Sequence, residues 1–85
     1  MPRVWEVDVD EEGDRTWFIT LGEFVELTVW EDTERRKWRA GIAFDDMGAM
    51  LTLPRGFDTR EAAQTAVVKH AQVWARALAQ ALDEV

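Results

Sequence analysis

The feature that most constrains this chain is a change of period at Gly56-Phe57-Asp58-Thr59-Arg60-Glu61. Before it, apolar residues alternate with polar ones in short runs broken by acidic turns. After it, a helical pattern continues without a breaker to Val85. A period of two gives way to a period of 3.6, so the chain reads as strands followed by one helix. The predicted fold class is α+β: an antiparallel four- to five-stranded meander with one long C-terminal helix packed on one face. Residues 1–85 form a single domain, with the meander over 1–54 and the helix over 58–84.

The strands follow from alternation. Trp5, Val7 and Val9 alternate with Glu6, Asp8 and Asp10, and Asp10-Glu11-Glu12-Gly13-Asp14 turns the chain. Arg15 to Leu21 is the second strand, ended by Gly22-Glu23. Phe24 to Trp30 is the third, and Glu31 to Glu34 a polar loop. In the fourth, Arg36 to Phe44, the residues Trp38, Ala40, Ile42 and Phe44 point one way and Lys37 and Arg39 the other. Asp45 to Gly48 is a turn, Ala49 to Leu53 the fifth strand, and Pro54 with Gly56 the link to the helix. Asp58 reads as the N-cap, with Glu61 completing a capping box; Thr59 is the alternative cap. Ala63, Val67, Trp74, Leu78, Leu82 and Val85 form one apolar stripe along the helix, flanked by Ala66, Ala77 and Ala81. At 1.5 Å per residue the helix is about 39 Å long, more than the roughly 17–20 Å of a typical strand, so it overhangs the sheet or crosses it diagonally.

One helix covers one face of a sheet, yet these strands carry apolar residues on both. An odd-length loop around Gly22 groups Trp17 and Ile19 with Val25, Leu27 and Val29, and leaves Phe18, Phe24 and Trp30 opposite. A two-residue Gly22-Glu23 turn instead moves Phe18 onto the valine side and Trp17, Ile19 and Leu21 off it. In both registers Phe24 and Trp30 lie opposite Val25, Leu27 and Val29. The far face is then a partner surface made of Phe18, Phe24, Glu26, Trp30, Lys37 and Arg39, of a size typical of interaction sites. Two alternatives stand beside it: strong twist that curls the sheet over these rings, or a cross-strand stack of Lys37 or Arg39 on Trp30.

Composition narrows the chemistry. There is no cysteine, serine, tyrosine or asparagine, hence no disulfide, thiolate metal site or cysteine or serine nucleophile. Ten basic against 17 acidic residues give a net charge of −7. That charge opposes general affinity for nucleic acid or anionic membranes and suits a basic partner. Asp8-Val9-Asp10-Glu11-Glu12-Gly13 has the opening spacing of an EF-hand loop, but the ligand expected at its twelfth position falls on Ile19; it reads as a hairpin turn. His70, the one histidine, reads as a packed or edge residue with no orienting group beside it in sequence. No catalytic residue, metal site, cofactor or small-molecule substrate is read here, and no segment is long and apolar enough to span a membrane. Met1-Pro2-Arg3-Val4-Trp5-Glu6 reaches charge before any apolar run, so no secretory signal is read and a cytoplasmic location is expected.

The run Leu53-Pro54-Arg55-Gly56-Phe57-Asp58-Thr59-Arg60-Glu61-Ala62 resembles in layout the amino-terminal arm-binding domains of phage-type integrases and the sheet-plus-last-helix half of double-stranded RNA-binding domains. Those families use a strongly basic surface, from which this chain departs. The expected function is a small acidic, non-enzymatic interaction module that binds a protein partner or self-associates through its aromatic sheet face. One form of that expectation is an inhibitor that imitates nucleic-acid charge. The alternative is a nucleic-acid reader using the basic and aromatic run Arg35-Arg36-Lys37-Trp38-Arg39.

Overall fold

The computed structural model describes residues 4–22, 24–44 and 49–85. Five strands, β1 (Glu6–Val9), β2 (Arg15–Leu21), β3 (Val25–Asp32), β4 (Lys37–Phe44) and β5 (Ala49–Thr52), form one antiparallel sheet in sequence order. Helix α1 (Arg60–Leu82) packs on one face. The meander and its C-terminal helix are therefore as expected from the alternation and the change of period. The expected turn at Asp45 to Gly48 lies outside the described residues.

The β2–β3 register resolves the ambiguity at Gly22. Leu21 pairs with Val25, Ile19 with Leu27 and Trp17 with Val29, which leaves a loop of odd length. Gly22 in that loop has φ 63°, a left-handed conformation that suits glycine. Trp17, Val29 and Ala40 form one cross-strand row on the helix face; Ile19, Leu27, Ile42 and Leu51 form the next; Leu21, Val25 and Phe44 follow. Ile19, Leu27, Val29, Ala40, Ile42 and Leu53 are buried there under Ala63 and Val67. Alanine at 63 lets the helix axis come close to the sheet.

Three local expectations change. β3 starts at Val25 and runs to Asp32, so Phe24 sits in the turn and Glu31 and Asp32 join the ladder. Arg36 lies in the β3–β4 turn with φ 55°, and the Asp32 carboxylate accepts the Arg35 amide at 3.3 Å. Thr59, not Asp58, caps the helix: its hydroxyl accepts the Ala62 amide at 3.1 Å. Asp58 is drawn away by an ion pair with Lys37, and Glu61 bonds Arg60, so no capping box closes. The helix accordingly runs over Arg60–Leu82 rather than 58–84.

After β5 the chain keeps hugging β4. The Leu53 amide donates to Ala40 O, and Trp38 and Phe57 exchange both backbone bonds at 2.7 and 2.8 Å. Gly56 lies so close to Lys37 that a Cβ there would stand 2.8 Å from the Lys37 Cβ, which excludes a larger residue without movement. This strap delivers the chain to the helix start at the Lys37 end of β4.

From there the helix runs along β4 towards Phe44. Arg60 to Trp74 spans about 21 Å and Lys37 to Phe44 about 23 Å, so helix and strand end together. Trp74 meets the Phe44 ring edge-on, centroids 5.7 Å apart. The remaining turns project beyond the sheet, and the molecule measures 46 × 28 × 24 Å. Leu78 and Leu82 are consequently exposed. Of the two arrangements expected from the helix length, the overhang is present: Trp74 still reaches Phe44 at the end of β4, while Leu78, Leu82 and Val85 lie beyond the strands. No helix of the described residues is long and apolar enough to cross a membrane.

Candidate interaction surface

A helix about 10 Å across covers about two strands spaced 4.7–4.9 Å apart. α1 lies over β3 and β4, and it cannot reach the opposite face at all. That face is set by the same register. Thr16, Trp30 and Arg39 make one row; Phe18, Thr28, Gly41 and Thr52 the next; Thr20, Glu26, Ala43 and Met50 the third. Glu6 and Asp8 extend the face on β1, opposite Phe18 and Thr16, and Lys37 extends it on β4 opposite Asp32.

Phe18, Glu26, Trp30, Lys37 and Arg39, all read from sequence as partner-binding, therefore share the uncovered face. Phe18, Glu26, Trp30 and Arg39 are half-buried and Lys37 exposed. Phe24 stands apart in the β2–β3 turn, 63% exposed. Sequence reasoning missed Met50, which is half exposed and leans over Gly41, its Cγ and Sδ 3.1 Å from where a Cβ would lie. Strand parity contained the signal, since Leu51 pairs with core Ile42 and Met50 must point the other way. Beneath Phe18 and Met50, Thr28 is buried and donates its hydroxyl proton to Gly41 O at 3.4 Å. The centre of the face is thus apolar and hydrogen-bond satisfied.

Its charges are unevenly spread. Glu6 and Asp8 lie on the β1 side, continuous with the hairpin Asp10-Glu11-Glu12-Gly13-Asp14. Asp10 organises that hairpin: its Oδ1 accepts the amides of Glu12 and Asp14, both at 2.9 Å. The expected turn is therefore present, with the Asp10 carboxylate committed to backbone donors. On the other side, Lys37 pairs with Asp58 and holds its carboxyl below the usual carboxylate range, first by hydrogen bonding and then by charge. Arg39, paired across the strands with Trp30, donates to Leu53 O at 3.1 Å. The described cation–π contacts lie elsewhere, Arg55 over Phe57 at 5.3 Å and Arg60 over Trp17 at 3.9 Å.

The basic run divides. Lys37 and Arg39 are on the uncovered face, Trp38 on the helix face, and Arg35 in a turn. A cleft of about 510 Å³ opens where β2, β3 and β4 meet the helix start, lined by Trp17, Trp30, Trp38, Arg15, Glu31 and Arg60 among others. A second, apolar groove of about 480 Å³ lies beside the helix over β2, lined by Trp5, Ile19, Leu21, Val68, Ala71 and Ala75 among others. His70 is exposed and lines neither. Among the described residues, no group of three or more His, Asp or Glu side chains is placed to hold a metal ion.

Compared with known protein families, curated proteins and solved structures, the chain matches none.

Proposed function

We propose that this protein is a non-enzymatic interaction module that binds a protein partner through its uncovered sheet face. One observation carries the reading: helix α1 lies on the opposite side of the sheet, while half-buried Phe18 and Trp30 and half-exposed Met50 surround Thr28 on this one. Apolar surface of that kind, rimmed by charge, is stabilised by a partner that removes it from water. Trp30 and Phe18 are the anchors, with Glu26, Lys37 and Arg39 at the rim setting orientation. Phe24 extends the contact at the β2–β3 turn. The acidic β1 side steers a basic partner, and binding weakens as salt rises.

The test is affinity capture from the native host, wild type against a Phe18→Ala/Trp30→Ala variant, at low and high salt. A basic protein retained by the wild type and lost with the double variant supports the reading. Capture of nothing beyond the bead control, or equal capture by both, contradicts it.

A further inference from the structure

The β2–β3 ladder ends at the Thr16–Trp30 pair, while its neighbours run further, β1–β2 to Val9–Arg15 and β3–β4 to Asp32–Lys37. The two hairpins therefore part at this end of the sheet. The cleft of about 510 Å³ opens between them, beside the helix start. Its volume is in the range of ligand-binding clefts.

Glu31 and Trp38 are direct cross-strand partners on the helix face, and both line this cleft. Side chains so placed start about 5 Å apart, so an indole stands beside a carboxylate. Among the described residues, Glu31 forms no ion pair and Trp38 no cation–π contact. Trp17, on the same face of β2, already holds a cation: the Arg60 guanidinium lies 3.9 Å from its ring centroid. Arg15 also lines the cleft, opposite Glu31 where the ladder has ended, and makes no ion pair with it.

We infer that the cleft takes the guanidinium of an arginine side chain on a partner chain, stacked on Trp38 and paired with Glu31. Charge decides between a cation and an anion. Residues 10–15, 31–37 and 58–61, the hairpin tips and helix start around the cleft, carry nine carboxylates against five cationic side chains, a net charge of −4. Such a surround concentrates cations and repels anions, Arg15 and Arg60 notwithstanding. Shape decides between arginine and lysine. A guanidinium is planar and weakly hydrated, so it can lie on an indole and still offer its N–H fork to the neighbouring carboxylate. A compact, strongly hydrated ammonium does this less well. The site is separate from the sheet-face contact: Trp30 borders both, but Phe18, Thr28 and Met50 do not line the cleft.

The test is a titration with N-acetyl-arginine amide at constant ionic strength, followed by the indole N–H signals in nuclear magnetic resonance. The Trp38 signal should move saturably with a midpoint on the order of 10 mM, since one exposed stack and one exposed ion pair bind weakly. Trp5 and Trp74, which do not line the cleft, should stay. The uncharged analogue N-acetyl-citrulline amide and N-acetyl-lysine amide should both bind more weakly. Glu31→Gln, at an exposed position, should raise the midpoint about two- to fivefold. Phe18→Ala should leave the titration unchanged, so failure here and failure of the sheet-face reading are told apart. No saturable movement of Trp38 up to about 100 mM, ten times the expected midpoint, overturns the inference. So does an equal response to the citrulline or lysine compound, a midpoint indifferent to Glu31→Gln, one shifted by Phe18→Ala, or Trp5 and Trp74 moving together with Trp38.

Discussion

Val67 and Leu78 occupy equivalent places in the apolar repeat of the helix, but the fold treats them differently. Val67 is fully buried between the helix and the sheet, and Leu78 stands beyond the last strand. Val67→Ala removes two methyl groups, about 1.6 kcal/mol of transfer free energy at ~0.8 kcal/mol per methylene. The cavity left in a packed core raises the total to about 2–3 kcal/mol. A domain of this size has roughly 4–13 kcal/mol to lose. Leu78→Ala removes a side chain that stands 44% exposed beyond the last strand and costs at most about 0.5 kcal/mol. Urea titrations followed by tryptophan fluorescence measure both, and slopes matching the wild type show that the midpoints report stability. In thermal melts Val67→Ala falls by about 8–24 °C, at 4–8 °C per kcal/mol for a small domain. If Leu78→Ala costs as much as Val67→Ala in dilute solution, the helix is seated along its whole length and the reasoning fails.

Other outcomes follow from single contacts. Thr59→Ala removes the N-cap and costs about 1 kcal/mol in the same titration, because the Ala62 amide loses its acceptor. Arg60→Ala costs about 1 kcal/mol through loss of the stack on Trp17, and Arg60→Lys, which lacks the planar guanidinium, recovers only part of it. Asp58 has a lowered pKa when folded, because of Lys37. Its contribution is therefore full above the ordinary carboxylate range near pH 4 and is lost as pH falls through the lowered value. Lys37→Met makes the acid limb of the stability–pH curve shallower there, by a small amount because both groups are exposed.

Much of the sheet was legible because strand parity is local. The alternation of Trp38, Ala40, Ile42 and Phe44 with Lys37 and Arg39 set the β4 faces, and the odd loop at Gly22 was one of two readable registers. What was not legible depends on distances between elements. Asp58 has every local property of a cap, but Lys37 on a neighbouring strand claims its carboxylate, and Thr59 takes the role. Phe24 continues the third strand's alternation, yet the loop consumes it. The overhang could be anticipated from helix length, but which residues it strands depends on where the strap beside β4 delivers Arg60. The stacking of Arg60 on Trp17 joins residues from distant parts of the chain and left no local signal. Met50 was recoverable by extending parity from Ile42 through Leu51.

Helix α1 covers one side of the sheet over β3 and β4, and the proposed surface requires that Phe18, Trp30 and Met50 on the other side meet water. Nuclear magnetic resonance of the dilute protein with a soluble nitroxide measures this directly. The Met50 methyl and the Trp30 indole N–H should be strongly attenuated, while the methyls of Val67, Ile42 and Val29 keep their intensity. If Met50 and Trp30 prove as protected as Val67, that face is already closed within one molecule and the proposed binding surface does not exist.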